Sequence, residues 1–185
     1  MVETTWRDEV ASPARSGGKR VADIVGAILV LTFFLPITIV MITAIRLSRR
    51  GPVFAREETI GLGGRAFRRW RLHRPVERES VFDKVLWRAG LTDLPSALNV
   101  IAGDMSLIGP RPHSPERCAY LRRGHADYMR RFEARPGMIW PGAAEPGTPL
   151  GAELDYVRAW SALRDLREAG VFAVNTLLRE PHDSD

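Results

Sequence analysis

The sequence predicts a mainly α-helical protein with a small β-hairpin element, in which an N-terminal re-entrant membrane helix hairpin joins a compact helical domain at the membrane surface. Three observations support this prediction. The stretch from Ile24 to Ile45 has no charged residue, a glycine-rich turn at Gly61–Gly64 separates two short extended segments, and many later apolar residues recur at helical spacing. We expect a disordered tail at 1–18, the membrane helix at 19–50, a folded domain at 51–178 and a short tail at 179–185.

The uncharged stretch is long enough for a bilayer. At about 1.5 Å per residue, Ile24 to Ile45 forms roughly 33 Å of helix, against a hydrocarbon core of about 30 Å. A secretory signal fits poorly, because the apolar run is too long and no small-residue cleavage site follows it. The sequence therefore predicts a membrane segment.

Both ends of this segment are basic. The flanking cations are Lys19 and Arg20 before it and Arg46, Arg49 and Arg50 after it. Because cytoplasmic flanks carry the excess of Lys and Arg, we expect both ends on the cytoplasmic side. Pro36, near the middle, is expected to kink the helix, so a re-entrant helix is favoured over a spanning helix with a tolerated proline. Asp23 is expected to pair with Lys19 or Arg20.

Composition indicates a folded chain with anionic partners. The 185 residues suit about one domain, and 45% hydrophobic with 26% charged residues is ordinary for a folded protein. The net charge of +5 comes from arginine, which suits nucleotides, lipid head groups or nucleic acid. A single cysteine, Cys118, excludes an internal disulfide, and the four histidines show no metal-ligand spacing, so no zinc site is assigned.

Beyond the hairpin we predict four helices. They are Val81–Arg88, Leu94–Ala102 closed by Gly103, Pro115–Phe132, and an amphipathic helix over Glu153–Glu168 stopped by Gly170. Six arginines cluster around the hairpin with Phe67 and Trp70, namely Arg65, Arg68, Arg69, Arg71, Arg74 and Arg78. Beside a membrane segment, this cluster favours a surface for anionic inner-membrane lipids over a nucleic-acid patch, so no nucleic-acid partner is expected.

Two short segments could carry chemistry. Thr92 and Asp93 stand before Leu94-Pro95, where one of them could cap a helix, or where Asp93 could hold Mg²⁺ or attack a phosphorus. Arg111 lies between two prolines that fix the backbone around it. A guanidinium held in this way suits a diphosphate, although a surface turn is the favoured explanation for the tetrapeptide taken in isolation.

Several motifs follow one another in a fixed order. They are Lys19–Asp23, Gly51–Phe54, Gly61 with Gly64, Phe67, Leu94-Pro95, Asn99-Val100, Gly103–Pro112, Arg135–Gly137, Asp155–Val157, Trp160-Ser161, Asp165-Leu166 and Thr176. The string GDMSLIGPRP at Gly103–Pro112 is the most specific of them. In this order, over about residues 19 to 178, the chain resembles the bacterial sugar transferases, in their small form as monotopic phosphoglycosyl transferases.

The resemblance implies an activity and a location. Such enzymes transfer a sugar phosphate from a nucleotide sugar to polyprenyl phosphate, release a nucleoside monophosphate, and serve exopolysaccharide or glycoconjugate biosynthesis at the cytoplasmic face of the bacterial inner membrane. An Asp-Glu pair does the chemistry: the aspartate forms a covalent phosphosugar intermediate and the glutamate binds Mg²⁺. Arginines, including the one matching Arg111, hold phosphates. Other glycan-assembly proteins are possible partners.

The motif positions differ from the family pattern around the phosphate chemistry. Thr92 occupies the place of the nucleophilic aspartate, and Asp93 that of the metal-binding glutamate. Trp87 replaces an expected arginine, with Arg88 beside it as the substitute phosphate ligand. Thr59 stands where an arginine is usual, and Arg71–Pro75 replaces the family's Lys-Phe-Arg-Ser-Met.

Three interpretations follow from these differences. Asp93 could itself be the nucleophile and the Mg²⁺ ligand. Thr92 could attack as an alkoxide, although its hydroxyl needs a base and adjacent side chains on a helix do not face each other. Alternatively, the protein keeps the fold and the membrane position without the first chemical step, and acts as a lipid-binding or assembly partner.

Overall fold

The computed structural model describes residues 16–47, 52–73, 91–142 and 149–178. These residues are mainly helical and contain two small sheets, which confirms the predicted mainly α-helical class with a small β-hairpin. In chain order the elements are α1 (Gly17–Leu47), β1 (Phe54–Ile60), a 3₁₀ turn (Leu62–Gly64), β2 (Ala66–Leu72), a 3₁₀ segment (Leu91–Ser96), α2 (Ala97–Ala102), β3 (Ser106–Ile108), α3 (Pro115–Gly124), a second 3₁₀ segment (Ala126–Glu133), β4 (Gly137–Ile139), α4 (Pro149–Arg158) and α5 (Ala162–Leu178). The predicted helix at Val81–Arg88 lies outside the described residues.

The β-hairpin forms where the glycine-rich turn predicts it. Strands β1 and β2 pair antiparallel, with Phe54 opposite Leu72 and Ile60 opposite Ala66. The turn needs glycine because Gly63 and Gly64 adopt φ of +65° and +76°, which residues with a Cβ rarely adopt. Strands β3 and β4 form a second, parallel pair that the sequence does not signal.

Helix α1 is a continuous helix of 31 residues that contains Pro36. Among the described residues it is the one helix long and apolar enough to cross a membrane, judged by length and composition. Its first half buries Ala27 in a cluster with Val100 of α2. Its second half, beyond Pro36, buries Met41 in a cluster with Val53 and Leu72 of the hairpin region. The same folded domain is therefore in contact with both halves of α1.

The other side of α1 is exposed and apolar. Its exposed side chains are Val21, Val25, Ile28, Leu29, Phe33, Leu35, Ile39 and Val40. With about 3.6 residues per turn, they all fall on one broad side of the helix. An apolar face of this size and continuity marks an interaction surface.

A buried charge cluster fixes the start of α1. The Lys19 ammonium lies 2.8 Å from Asp165 on α5 and 3.4 Å from Asp23 one turn along α1. Asp23 also accepts hydrogen bonds from the Ser106 hydroxyl at 2.7 Å and from the Leu107 N–H at 3.1 Å. The predicted pairing of Asp23 with Lys19 is confirmed. The cluster joins α1 to β3 and α5.

Two predicted helices have different boundaries. The helix predicted at Leu94–Ala102 begins as the 3₁₀ segment Leu91–Ser96, and only Ala97–Ala102 is α-helical, ending as predicted at Gly103 with φ of +102°. The single helix predicted at Pro115–Phe132 is interrupted at His125, where the backbone is extended. The chain then continues as a 3₁₀ segment, because it turns there to pack Tyr128 inward.

The prediction of a single helix over Glu153–Glu168 is wrong. The chain forms α4 and α5, separated at Trp160 and Ser161. The Ser161 hydroxyl accepts the Arg164 N–H at 3.1 Å, as a helix N-cap does, and starts a new helix there. Helix α5 continues through Gly170, and its Leu166 is exposed rather than buried in the expected stripe.

A second buried polar cluster surrounds His113. Its Nδ1 accepts a hydrogen bond from Arg131 and lies 2.9 Å from the Tyr128 hydroxyl, which Arg131 contacts at 2.8 Å. Burial, followed by the positive charges of Arg131, Arg117 and Arg111, lowers the pKa of His113 to about 3. The imidazole is therefore neutral at physiological pH.

Replacing Lys19 with Met should strongly destabilise the fold. It leaves Asp23 and Asp165 without the cation they share, and breaking a buried pair typically costs about 3–5 kcal/mol of unfolding free energy. The control is Arg158→Gln, which removes an exposed pair with Asp127 and should cost less than about 1 kcal/mol. Denaturant unfolding in detergent micelles measures both variants, and equal losses would contradict the assignment.

Stability should fall as pH drops from about 6.5 toward 3. His113 takes up a proton near 6.5 when unfolded but only near 3 when folded, so protons favour the unfolded chain in this window by up to about 1.4 kcal/mol per pH unit. His113→Gln should flatten this dependence, whereas a substitution at the exposed His125 should not. Unfolding midpoints measured from pH 4 to 7 test the difference; parallel curves for wild type and His113→Gln would contradict it.

Candidate functional site

Asp93 is held between two arginines of the hairpin. Its Oδ1 accepts a hydrogen bond from Arg71 Nε at 2.6 Å and lies 2.8 Å from a terminal nitrogen of Arg69. Arg71 also contacts Glu57 of β1 at 3.1 Å. The carboxylate is only partly exposed, so these charges interact more strongly than they would in open water.

The strand and the start of α2 create this arrangement. Residues two apart on a strand point to the same face, so β2 presents Arg69 and Arg71 together. The side chain of Asn99 then ties β2 to α2, because its Oδ1 accepts the Trp70 N–H at 2.9 Å and its Nδ2 donates to the Arg68 carbonyl at 3.0 Å. This amide fixes the strand against the segment that carries Asp93.

Thr92 and Asp93 lie inside the 3₁₀ segment rather than before a helix. The Asp93 carboxylate contacts the two arginines instead of capping backbone N–H groups, so the capping interpretation of Asp93 is wrong. The backbone carbonyl of Asp93 accepts the Ser96 hydroxyl at 2.6 Å, which tightens the turn. Thr92, which precedes it in the same segment, is half-buried.

Arg111 lies in a loop held by the small parallel sheet. The Gly109 N–H donates to the Ile139 carbonyl at 3.1 Å, and the Gly137 N–H donates to the Pro110 carbonyl at 2.9 Å. These two segments of the backbone approach so closely that a Cβ on Gly109 would lie 2.2 Å from a backbone oxygen. The Arg111 guanidinium is exposed and lies 5.2 Å from the centre of the Trp140 ring.

A buried ion pair supports the Arg111 backbone from behind. Its N–H donates to Glu153 Oε1 at 3.1 Å, and its carbonyl accepts a hydrogen bond from Arg131. Arg131 and Glu153 lie 2.8 Å apart and are both buried. Burial raises the pKa of Glu153, while Arg131 and the Arg111 N–H oppose that rise.

The structure does not join all the predicted site residues. Asp93 pairs with Arg69 and Arg71, and Arg111 stacks on Trp140. Asp93 and Arg111 are not in contact with each other within the four described ranges. Arg88, the predicted substitute phosphate ligand, lies outside these ranges.

The side chains around Asp93 suit Mg²⁺ only if substrate phosphates supply further ligands. In the described part of the chain no group of three or more His, Cys, Asp or Glu side chains could hold a metal ion. Mg²⁺ is commonly bound by one or two carboxylates together with phosphate oxygens and water. Asp93 Oδ1 already faces two guanidinium groups, so its second oxygen is the one that fits such a site.

Sequence reasoning missed four residues of these two arrangements. Arg69 and Arg71 were expected to face lipids, although their spacing of two in a predicted strand could have placed them on one face. Arg131 and Glu153 gave no signal, because they lie 20 and 42 residues from Arg111 and meet it only after folding.

Comparisons with known proteins give the family. The bacterial sugar transferase family model matches residues 14–174. A UDP-glucose:undecaprenyl-phosphate glucose-1-phosphate transferase of Caulobacter vibrioides is 33% identical over 80% of this chain and 66% of its own length. A protein of the same name from Escherichia coli is 29% identical over 80% of this chain and 38% of its own length. The exopolysaccharide production protein ExoY of Rhizobium meliloti is 26% identical over 83% of both chains.

The chain thus spans less than two thirds of the length of the first two relatives, and most of the length of the third. The family model covers nearly the whole described structure, from the start of α1 into α5. It includes the segment of Asp93 and the loop of Arg111. This chain belongs to the bacterial sugar transferase family.

Proposed function

We propose that this protein is a membrane-bound phosphoglycosyl transferase, which moves a sugar phosphate from a nucleotide sugar to polyprenyl phosphate in exopolysaccharide or glycoconjugate biosynthesis. The observation that carries the proposal is the acidic Asp93, held by Arg69 and Arg71 within the matched family region. The names of the relatives, which include UDP-glucose and undecaprenyl phosphate, support this substrate class.

Asp93 is the residue we assign as the nucleophile. Its Oδ1 is held by the two arginines, which leaves Oδ2 to attack the phosphorus that carries the sugar. A P–O bond forms, and the bond to the nucleoside monophosphate breaks as that group leaves with the electron pair. A phosphate oxygen of polyprenyl phosphate then attacks the same phosphorus and releases the carboxylate.

The surrounding cations have a separate role in this scheme. Arg69 and Arg71 fix the orientation of the carboxylate and neutralise charge that gathers on the phosphoryl oxygens. Arg111 holds the diphosphate of the nucleotide sugar. Because Oδ2 serves as the nucleophile, Mg²⁺ would be held mainly by the substrate phosphates, where it would supply further charge neutralisation.

Thr92 is a poorer nucleophile in this arrangement. Its hydroxyl needs a base, and the neighbouring carboxylate already interacts with two guanidinium groups, which reduces its ability to accept a proton. The same ion pairs favour one alternative. A protein with threonine in the nucleophile's place and a doubly paired aspartate could bind polyprenyl phosphate or an assembly partner without catalysing transfer.

We also propose that α1 bends at Pro36 in the membrane, so that it enters the inner membrane from the cytoplasmic side and returns to that side. A helix that crosses a bilayer carries its far half away from a domain on one side. Here Ala27 and Met41, on opposite sides of Pro36, both pack on the same surface domain. The basic residues at both ends of the segment support the same arrangement.

Release of nucleoside monophosphate tests the enzyme assignment. With UDP-glucose and other nucleotide sugars, Mg²⁺ and undecaprenyl phosphate, wild type should turn over, and Asp93→Ala should lose roughly a thousandfold in rate because the nucleophile is gone. The control is Asp155→Ala, at an exposed acid, which should retain activity. Silence of the wild type with activity gained by Thr92→Asp would instead identify a disabled site.

The position of α1 can be measured separately. Reporters fused before residue 19 and after residue 50 should both be on the cytoplasmic side of the inner membrane, because both flanks are basic and both halves contact one domain. A reporter of known periplasmic location serves as the control. Reporters on opposite sides would contradict the re-entrant proposal and leave the family assignment unchanged.

A further inference from the structure

We propose that the buried ion pair of Arg131 and Glu153 is a positioning device that sets the affinity of Arg111 for a diphosphate. The inference rests on the proposed function, in which Arg111 contacts the phosphates of the nucleotide sugar. It assigns a role to two residues that touch no substrate and act through the Arg111 backbone.

The first argument is the completeness of the backbone contact. The Arg111 N–H donates to Glu153 Oε1 at 3.1 Å, and its carbonyl accepts from Arg131. Both polar groups of one residue are thus held by the two members of a single ion pair. With a proline on each side, the backbone at Arg111 keeps little freedom.

The second argument is the placement of the pair. Glu153 comes from α4 and Arg131 from the second 3₁₀ segment, so the pair ties two distant parts of the chain to the loop. Glu153 is fully buried and Arg131 is 3% exposed. Buried ion pairs add little stability compared with apolar side chains of similar size. A geometric role at Arg111 therefore accounts for charges that stability alone does not explain.

The third argument connects the backbone to the guanidinium. The Arg111 side chain extends into solvent and lies 5.2 Å from the Trp140 ring centre. Trp140 directly follows β4, which is paired with the strand before the loop. Once the backbone is fixed, stacking on this ring limits the remaining side-chain rotamers. An arginine side chain that is restrained by a fixed backbone and by a stacked ring loses less conformational entropy when its guanidinium binds an anion.

Binding of inorganic pyrophosphate to the full chain in nanodiscs tests the inference without turnover. A double-mutant cycle compares wild type, Arg111→Ala, Glu153→Gln and the variant with both changes by calorimetry. Arg111→Ala should weaken binding about tenfold or more, through the lost charged hydrogen bonds. Glu153→Gln should weaken it several-fold, and the double variant should bind no more weakly than Arg111→Ala.

Two further variants separate positioning from loss of fold. In the variant with both Arg131→Leu and Glu153→Leu no charge is left unpaired, and His113 and Tyr128, which lose Arg131, keep each other as partners at 2.9 Å. The protein should therefore stay folded and still bind as weakly as Glu153→Gln. Asp165→Asn, which keeps a hydrogen-bond acceptor for Lys19, changes another largely buried ion pair that does not contact Arg111 in the described residues, and should bind like wild type.

The outcomes are distinct. If the losses from Arg111→Ala and Glu153→Gln multiply, or if Glu153→Gln binds like wild type, the positioning role is refuted. If wild type binds pyrophosphate no better than sulfate, Arg111 has no diphosphate to hold and the inference also fails. If the cycle behaves as expected but wild type releases no nucleoside monophosphate from any nucleotide sugar, only the proposed transferase activity fails.

Discussion

The buried ammonium of Lys19 constrains the rest of the structure. It lies between Asp23 and Asp165, and Asp23 in turn holds the Ser106 hydroxyl and the Leu107 N–H. Charges removed from water are tolerated only when they are paired and hydrogen-bonded, so each of these groups depends on the others. Because Lys19 starts α1, this cluster decides where an apolar helix meets the domain that carries the candidate site.

Charge pairing also organises the two parts of that site. Asp93 is fixed by Arg69 and Arg71, which come from the hairpin packed beside it. Arg111 is fixed by an ion pair that lies behind its backbone. In both cases arginine orients a functional group through hydrogen bonds in defined directions, which lysine provides less well. The arrangement suits a reaction in which charge must be matched along a diphosphate.

Local features of the sequence predicted the fold well. The uncharged run produced α1, the glycines at the hairpin produced the turn, and Gly103 ended α2. Where the predicted helices were wrong, a specific local feature of the structure explains the difference. The Ser161 cap divides the helix expected at Glu153–Glu168, and an extended His125 interrupts the helix expected after Pro115. Periodicity alone carries no information about these interruptions.

The apolar length of α1, the loop around Arg111 and the family motifs can be read from the amino-acid order alone, because each depends on neighbours along the chain. Which charges meet depends on how the folded elements pack together. Lys19 and Asp165 are 146 residues apart, and Arg111 and Glu153 are 42 apart. Such contacts are selected by packing and by the cost of leaving a buried charge unpaired, and neither is visible before the elements come together.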